Sequence, residues 1–308
     1  MLARGPNPSL QPPQKPALVA TVFWSSAPDQ AQRKLAEDVG RAITAGTYKT
    51  PVLPEAAIEA LKLARNALAS LERIERLIAS DPPLAAKLLS LANSPVYRAA
   101  EPFCSLRAAL VRMGLEQTRE TLGQAVLASH VFDVPPFHTW LADLAIESTA
   151  VAIACTELAA ESGAGEDYAF LAGLLHDVGK AIVLQVIAKS PLGLAAPEAI
   201  VKEIVEGEHT RAGELAARKM RLAEPLVCAI SRHHEWRATV PGDAPAVLVS
   251  LARRVWAATA EEPTGALQWP ELEALDLVEQ QARQVIARLG LARTRLSDAS
   301  AAILAAAG

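Results

Sequence analysis

The chain has little cysteine, few aromatics and no block of positive charge. Three cysteines occur in 308 residues (Cys104, Cys155 and Cys228), and no two form a Cys-x-x-Cys pair. Such usage excludes a disulfide scaffold and fits a reducing compartment. The formal net charge is −4 and the isoelectric point about 5.9. Without a Lys/Arg cluster this argues against a nucleic-acid partner, because phosphate binding depends on clustered positive charge. The longest apolar run near the N-terminus, Leu18 to Trp24, falls far short of the ~20 residues a spanning helix needs. Pro-rich polar sequence precedes it instead of the basic segment of a signal peptide. A cytoplasmic protein with no membrane partner is the expectation.

Strand-type alternation is also scarce, and what is present is helical periodicity. Pro6, Pro8, Pro12, Pro13, Pro16 and Pro28 make residues 1–30 a Pro-rich flexible tail in which no helix propagates. Pro54 can open a helix whose stripe is Ile58, Leu61 and Leu68, and Ser70 can cap the next. Asp81-Pro82 is a strong start signal, and Asn93-Ser94-Pro95 ends that helix. Further helices are predicted from about Ser105 to Met113 with a stop at Gly114, from Glu116 to about Val131, and from His138 to Ser162 closed by Gly163. Others are predicted at about 167–188, 197–206, 209–220, 223–234, 244–260, 270–289 and 292–307. The expected fold class is all-α: a two-part helical domain, with an N-terminal helical bundle (31–136) packed on a helical core (137–260). A C-terminal helical extension (261–308) packs on that core, and the halves meet near Pro135-Pro136. The extension carries Leu272, Leu275, Val278, Val285, Ile286 and Leu289 at helical spacing. Core packing accounts for that face, and an exposed version would serve a homodimer.

Four of the six histidines, with Asp177 and Lys180, are the residues that need explaining. His176-Asp177 interrupts an apolar run, and a buried carboxylate costs several kcal/mol unless a cation, metal or hydrogen bonds compensate it. His209 opens a helix whose facing positions Ala212, Gly213 and Ala216 are small. His233 and His234 end a helix carrying Leu226 and Ile230. Near the ends of separate apolar stripes such residues can converge, and imidazole with carboxylate is a usual ligand set for Zn, Mn or Fe. Adjacent His233 and His234 would point about 100° apart on a helix, which makes joint ligation awkward. His130 and His138 read as core or rim residues. Arg65, Arg73, Arg76 and Arg98 read as solvated helix faces, with an anionic contact the alternative.

These motifs, taken in order, resemble a family. Leu53-Pro54, Ile78-Ala79-Ser80-Asp81-Pro82 and Lys87-Leu88-Leu89-Ser90-Leu91-Ala92-Asn93-Ser94 look like the first half of an HDOD domain. Leu106…Met113-Gly114-Leu115, Phe170 to Lys180, Glu208-His209-Thr210…Gly213 and Ile230-Ser231-Arg232-His233-His234 look like the second, covering about residues 38–235. HDOD domains are relatives of the HD and HD-GYP metal-dependent phosphohydrolases found in bacterial signalling, generally without demonstrated catalysis. The resemblance implies an HD-like core at 137–260, with His176, Asp177, His209, His233 and His234 in the metal positions and Lys180 helping to hold a phosphate. It places Glu147 where the enzymes have a first His ligand, and Arg253 where they have an Asp. The Gly-Tyr-Pro segment of the HD-GYP enzymes has no counterpart in 235–242, which disfavours cyclic di-GMP hydrolysis. Arg253 is therefore expected to pair with Asp177 or Glu147 and neutralise a buried acid, as metal does in the enzymes. The expected function is a non-catalytic signal-transduction module that binds a partner protein or a small nucleotide through the groove between its halves. No metal, or a weakly bound Mn, Fe or Zn ion, accompanies that reading. A metal-dependent phosphohydrolase with an altered ligand set is the alternative.

Overall fold

Capping chemistry sets the first helix boundaries. In α1 (Gln30–Ala45) the Asp29 carboxylate accepts from the Gln32 amide at 2.8 Å, the Gln32 side chain accepts from the Asp29 amide at 2.9 Å, and left-handed Gly46 closes the far end. The computed structural model describes residues 28–51, 53–64, 66, 69–93, 103–128, 134–163, 165, 168–237, 242–261 and 263–305. The Pro-rich tail, Leu18–Trp24, Arg65, Arg98 and His130 lie outside the described residues. No strand occurs among the described ones.

After α2 (Glu55–Ala64) and α3 (Leu71–Ala79), α4 (Pro82–Ala92) starts as predicted: Asp81 Oδ1 accepts from the Leu84 amide at 3.1 Å, and Pro82 takes a first-turn position. Ser70 precedes α3 in extended conformation, but its side chain makes no capping bond. The stop expected at Gly114 is a kink inside α5 (Leu106–Val126), where φ of 73° and ψ of 178° suit glycine. Residues Pro135–Phe137 form a 3₁₀ turn, and α6 (His138–Ser162) ends at left-handed Gly163, as its spacing predicts.

The helix expected over 167–188 is two, α7 (Ala169–Leu175) and α8 (Val178–Ala188), broken at His176-Asp177. After the short α9 (Pro191–Ala195), the two helices expected over 197–220 are one, α10 (Glu198–Lys219). Then come α11 (Glu224–Arg232), α12 (Ala244–Ala258), α13 (Pro270–Ala274) and α14 (Glu279–Ala305), the last continuous where a break was expected. The stretch 169–188 is apolar and long enough to cross a bilayer by composition, yet 94% of its most apolar 18 residues are buried inside the protein.

Packing places α6 at the middle, against α7, α12 and α14, while α2, α3 and α4 gather on α5. Helix α1 packs chiefly on α8, α9 and α10. Arg211 of α10 fastens it there, donating to Thr44 Oγ1 at 2.7 Å and to the Gly40 carbonyl at 3.1 Å while paired with buried Glu208 at 2.5 Å. The contact that matters for the site is α8 on α10. A Cβ on Gly179 would fall 1.8 Å from the His209 carbonyl oxygen and 2.7 Å from the Gly213 nitrogen. Only glycine lets the two backbones approach this closely, which sets Asp177 beside His209.

Candidate metal centre

Asp177, in the break between α7 and α8, is the hub. Its Oδ1 lies 3.4 Å from both His209 Nε2 and His233 Nε2. Its Oδ2 lies 3.3 Å from His176 Nε2 and 2.8 Å from Lys180 Nζ. His176, Asp177, His209 and His233 are at most 2% exposed. His234 stands at the rim with its Nε2 3.1 Å from His209 Nε2. The expected 100° divergence of His233 and His234 does not arise, because α11 ends at Arg232 and the two rings lie 4.3 Å apart between centroids.

Backbone carbonyls fix the tautomers. His176 Nδ1–H donates to the Gly173 carbonyl at 2.8 Å, His209 Nδ1–H to Glu206 at 2.9 Å, and His233 Nδ1–H to Ala229 at 3.0 Å. A carbonyl only accepts, so each neutral ring turns an Nε2 lone pair toward the carboxylate. Acceptor then faces acceptor. Asp177 Oδ1 and Oδ2, His176 Nε2 and His233 Nε2 all lack a well-directed hydrogen bond. The contacts are close enough for charge to act between them and too poorly aimed for hydrogen bonding.

Burial would by itself push the Asp177 carboxyl up; His176 and His233 in their charged, Nε2-donating forms and the Lys180 ammonium outweigh it and hold the group well below the usual carboxylate range. With the rings neutral that task falls to Lys180, 2.8 Å away. Burial would likewise lower the Lys180 ammonium, but Asp177, Glu206 and Glu147 raise it. Burial pushes His233 down to about 4 and also lowers His209 and His234, with neighbouring His233 and Arg253 adding to the effect on His234.

Orphaned Nε2 and carboxylate atoms around one point fit a divalent cation. One ligand atom from each of Asp177, His209, His233 and His234 lies within 4.8 Å of the others. Asp177, His209, His233 and His234 are the residues that would hold such an ion. Such an ion would polarise a bound phosphoryl oxygen or activate water where a coordination position stays open.

One expectation is corrected. Arg253 does not pair with Asp177 or Glu147: its Nη1 donates to His234 Nδ1 at 3.3 Å, because α12 presents it at the rim. Lys180 holds Asp177 instead and reaches Glu206 Oε1 at 3.1 Å. Glu206, not singled out from sequence, is three residues before His209 and so on its face of α10. Glu147, partly buried, stands outside the four converging residues and borders two clefts that flank the centre. One, of about 480 Å³, lies among α6, α8 and α10 beside Trp140, Lys180 and Glu206. The other, of about 450 Å³, lies beside His234, Trp236, Arg253 and Trp256. Both belong to the second half, not to a groove between halves. His138 is exposed at the start of α6 and is not among the four converging residues.

A helical protein organised around a buried His–Asp cluster is the class that fold and site define. The HDOD domain model matches residues 50–236, and the chain belongs to the HDOD family. It is similar in fold to an HDOD domain protein of unknown function from Geobacter sulfurreducens (20% identity, TM-score 0.54, 88% of this chain and 97% of that one). A Shewanella amazonensis protein provisionally described as a metal-dependent phosphohydrolase is similar too (18% identity, TM-score 0.54, 89% and 100% coverage). Ribonuclease Y of Syntrophobacter fumaroxidans is 37% identical over 106 residues, which are 34% of this chain and only 16% of that enzyme.

Proposed function

We propose that this chain is a regulatory HDOD module that works by binding a partner protein or small nucleotide, not by hydrolysis, and that its centre holds at most one weakly bound divalent cation. One observation carries the reading. The places where a second ion would be neutralised are taken by the chain's own cations, Lys180 at Asp177 and Arg253 at His234. Opposing charge on this scale is decisive: a unit charge ~4 Å from another contributes roughly 4 kcal/mol at an effective dielectric of ~20, and a divalent ion doubles that. His176, Asp177 and His233 are almost completely buried, which limits the approach of a substrate to the hub from their side. A net charge of −4 without a basic block supports neither a nucleic acid nor a membrane as the partner.

The test is a metal analysis after purification without chelator, paired with an assay on bis(p-nitrophenyl) phosphate with added Mn²⁺, Mg²⁺ or Fe²⁺. The expected result is about one ion per chain or fewer and no turnover. Turnover that disappears in Asp177→Ala would establish the second reading, a phosphohydrolase with an altered ligand set. That reading is favoured only by Glu147 and Lys180 bordering the same open cleft.

A further inference from the structure

The cleft on the Arg253 side has a composition that the His–Asp centre does not explain. Trp236 and Trp256, both partly buried, border it together with Arg253 and Arg254. Its volume of about 450 Å³ falls within the ~300–1,000 Å³ typical of small-molecule sites. The Arg293 guanidinium lies 4.7 Å from the Trp256 ring centroid, with Arg293 Nη1 donating to Thr259 Oγ1 at 2.6 Å.

Charge in this cleft is unevenly satisfied. Arg254 is paired with Glu271 at 2.8 Å, and Glu271 also accepts from Ser250 at 2.8 Å. Glu147 borders the cleft as well, but it also faces the Lys180 ammonium, which it raises. Arg253 is different. A guanidinium has five N–H donors, and among the described residues its one acceptor is a neutral imidazole nitrogen 3.3 Å away, with the buried Nε unpartnered. The cleft therefore offers a forked cation that, among the described residues, has no anion in hydrogen-bond reach, next to two partly buried indoles.

We infer that this cleft binds a nucleoside phosphate, with Arg253 receiving the phosphate and Trp236 and Trp256 bordering the base. A guanidinium grips phosphate through parallel N–H donors, and indoles stack on any planar base. A bare phosphate would leave the indoles unused, and a neutral nucleoside would leave Arg253 unanswered. The inference deepens the binding-without-hydrolysis reading and rests on it, while naming a side of the centre away from the Asp177–Lys180 pair.

Isothermal titration of the full chain with 5′-AMP and 5′-GMP tests it, with adenosine, guanosine and inorganic phosphate as separate arms. At least one nucleotide is expected to bind at micromolar Kd, with its nucleoside and inorganic phosphate each at least tenfold weaker. Arg253→Gln and Trp236→Ala should each weaken it tenfold or more, Arg253→Lys less, and the remote Arg112→Gln not at all, with folding of each variant checked by circular dichroism. No saturable heat with either nucleotide to several millimolar overturns the inference, as does equal affinity in folded Arg253→Gln or tighter binding of bare phosphate. Chromatography of the recovered nucleotide separates the two readings. Conversion to a product would sink the non-catalytic function and leave the cleft standing, whereas absent binding would sink the cleft alone.

Discussion

The ammonium of Lys180 lies 2.8 Å from Asp177 Oδ2, on a carboxylate with no solvent exposure. Removing that partner leaves a buried charge with only poorly aimed imidazoles around it, and breaking a buried pair typically costs ~3–5 kcal/mol. Lys180→Met is expected to lose that much in urea denaturation, with part of the loss restored by stoichiometric Zn²⁺, which supplies the missing positive charge. An unchanged urea midpoint would show that the pair is not what neutralises Asp177.

Much of this arrangement was legible in sequence, and the part that was not has a common cause. Asp81-Pro82 and Gly163 act through local backbone chemistry, so the ends of α4 and α6 fell where their signals stand. His176, Asp177, His209, His233 and His234 were picked out by polar chemistry set in apolar stripes and by family resemblance, and they do converge. The identity of the counter-ion was not legible. Lys180 reaches Asp177 across three residues of one chain segment, but whether Arg253 points at a carboxylate or at His234 depends on the rotation of α12, which its packing on α6, α11 and α13 determines. The break at His176-Asp177 has no Pro or Gly at it. Conversely separate helices were expected over 197–206 and 209–220, yet α10 runs unbroken through Gly207, since packing outweighs the ~1 kcal/mol a helical glycine costs.

Acid sensitivity follows from the buried imidazoles. His233 has a folded-state value of about 4 against an ordinary 6.5. Between those values the unfolded chain binds a proton that the folded chain refuses, so stability is lost as pH falls from 6.5 toward 4. The loss is roughly 3 kcal/mol for this group alone. His209 and His234 act in the same direction. Asp177, whose folded value is depressed, adds a further loss below about 3.8, where the unfolded chain takes up a proton first. Chelator-treated protein melted at pH 7, 6, 5 and 4 is expected to show a steady fall in Tm across this interval. A flat profile to pH 4 would contradict neutral buried rings.

Arg253 sets the tautomer of the outermost histidine. Its Nη1–H donates to His234 Nδ1, so the neutral ring carries its proton on Nε2, the atom aimed at His209 Nε2. Ligation through His234 Nε2 requires the opposite tautomer, in which an Nδ1–H would confront the guanidinium. Arg253→Asn removes that conflict along with a positive charge. Affinity for Zn²⁺, measured by competition with a chromophoric chelator, is expected to rise on the order of tenfold, a modest factor because the arginine sits at a solvated rim. Equal affinity in the variant would mean that His234 takes no part in holding the ion.

The centre also depends on a residue with no chemistry of its own. A Cβ at position 179 would fall 1.8 Å from the His209 carbonyl oxygen, and this obstacle is backbone, which cannot rotate away as a side chain end would. Gly179→Ala must therefore part α8 from α10, and Asp177, two residues before the crossing, moves away from His209 with it. The expected destabilisation is about 3 kcal/mol or more. Overpacking in an ordinary core position would lower Tm alone, but here bound metal should fall with it even at temperatures where circular dichroism shows the helices intact. Metal content measured beside Gly290→Ala, where a Cβ meets nothing within 4 Å, separates the two effects. Full metal content in folded Gly179→Ala would mean that the α8–α10 crossing is not what holds Asp177 against His209.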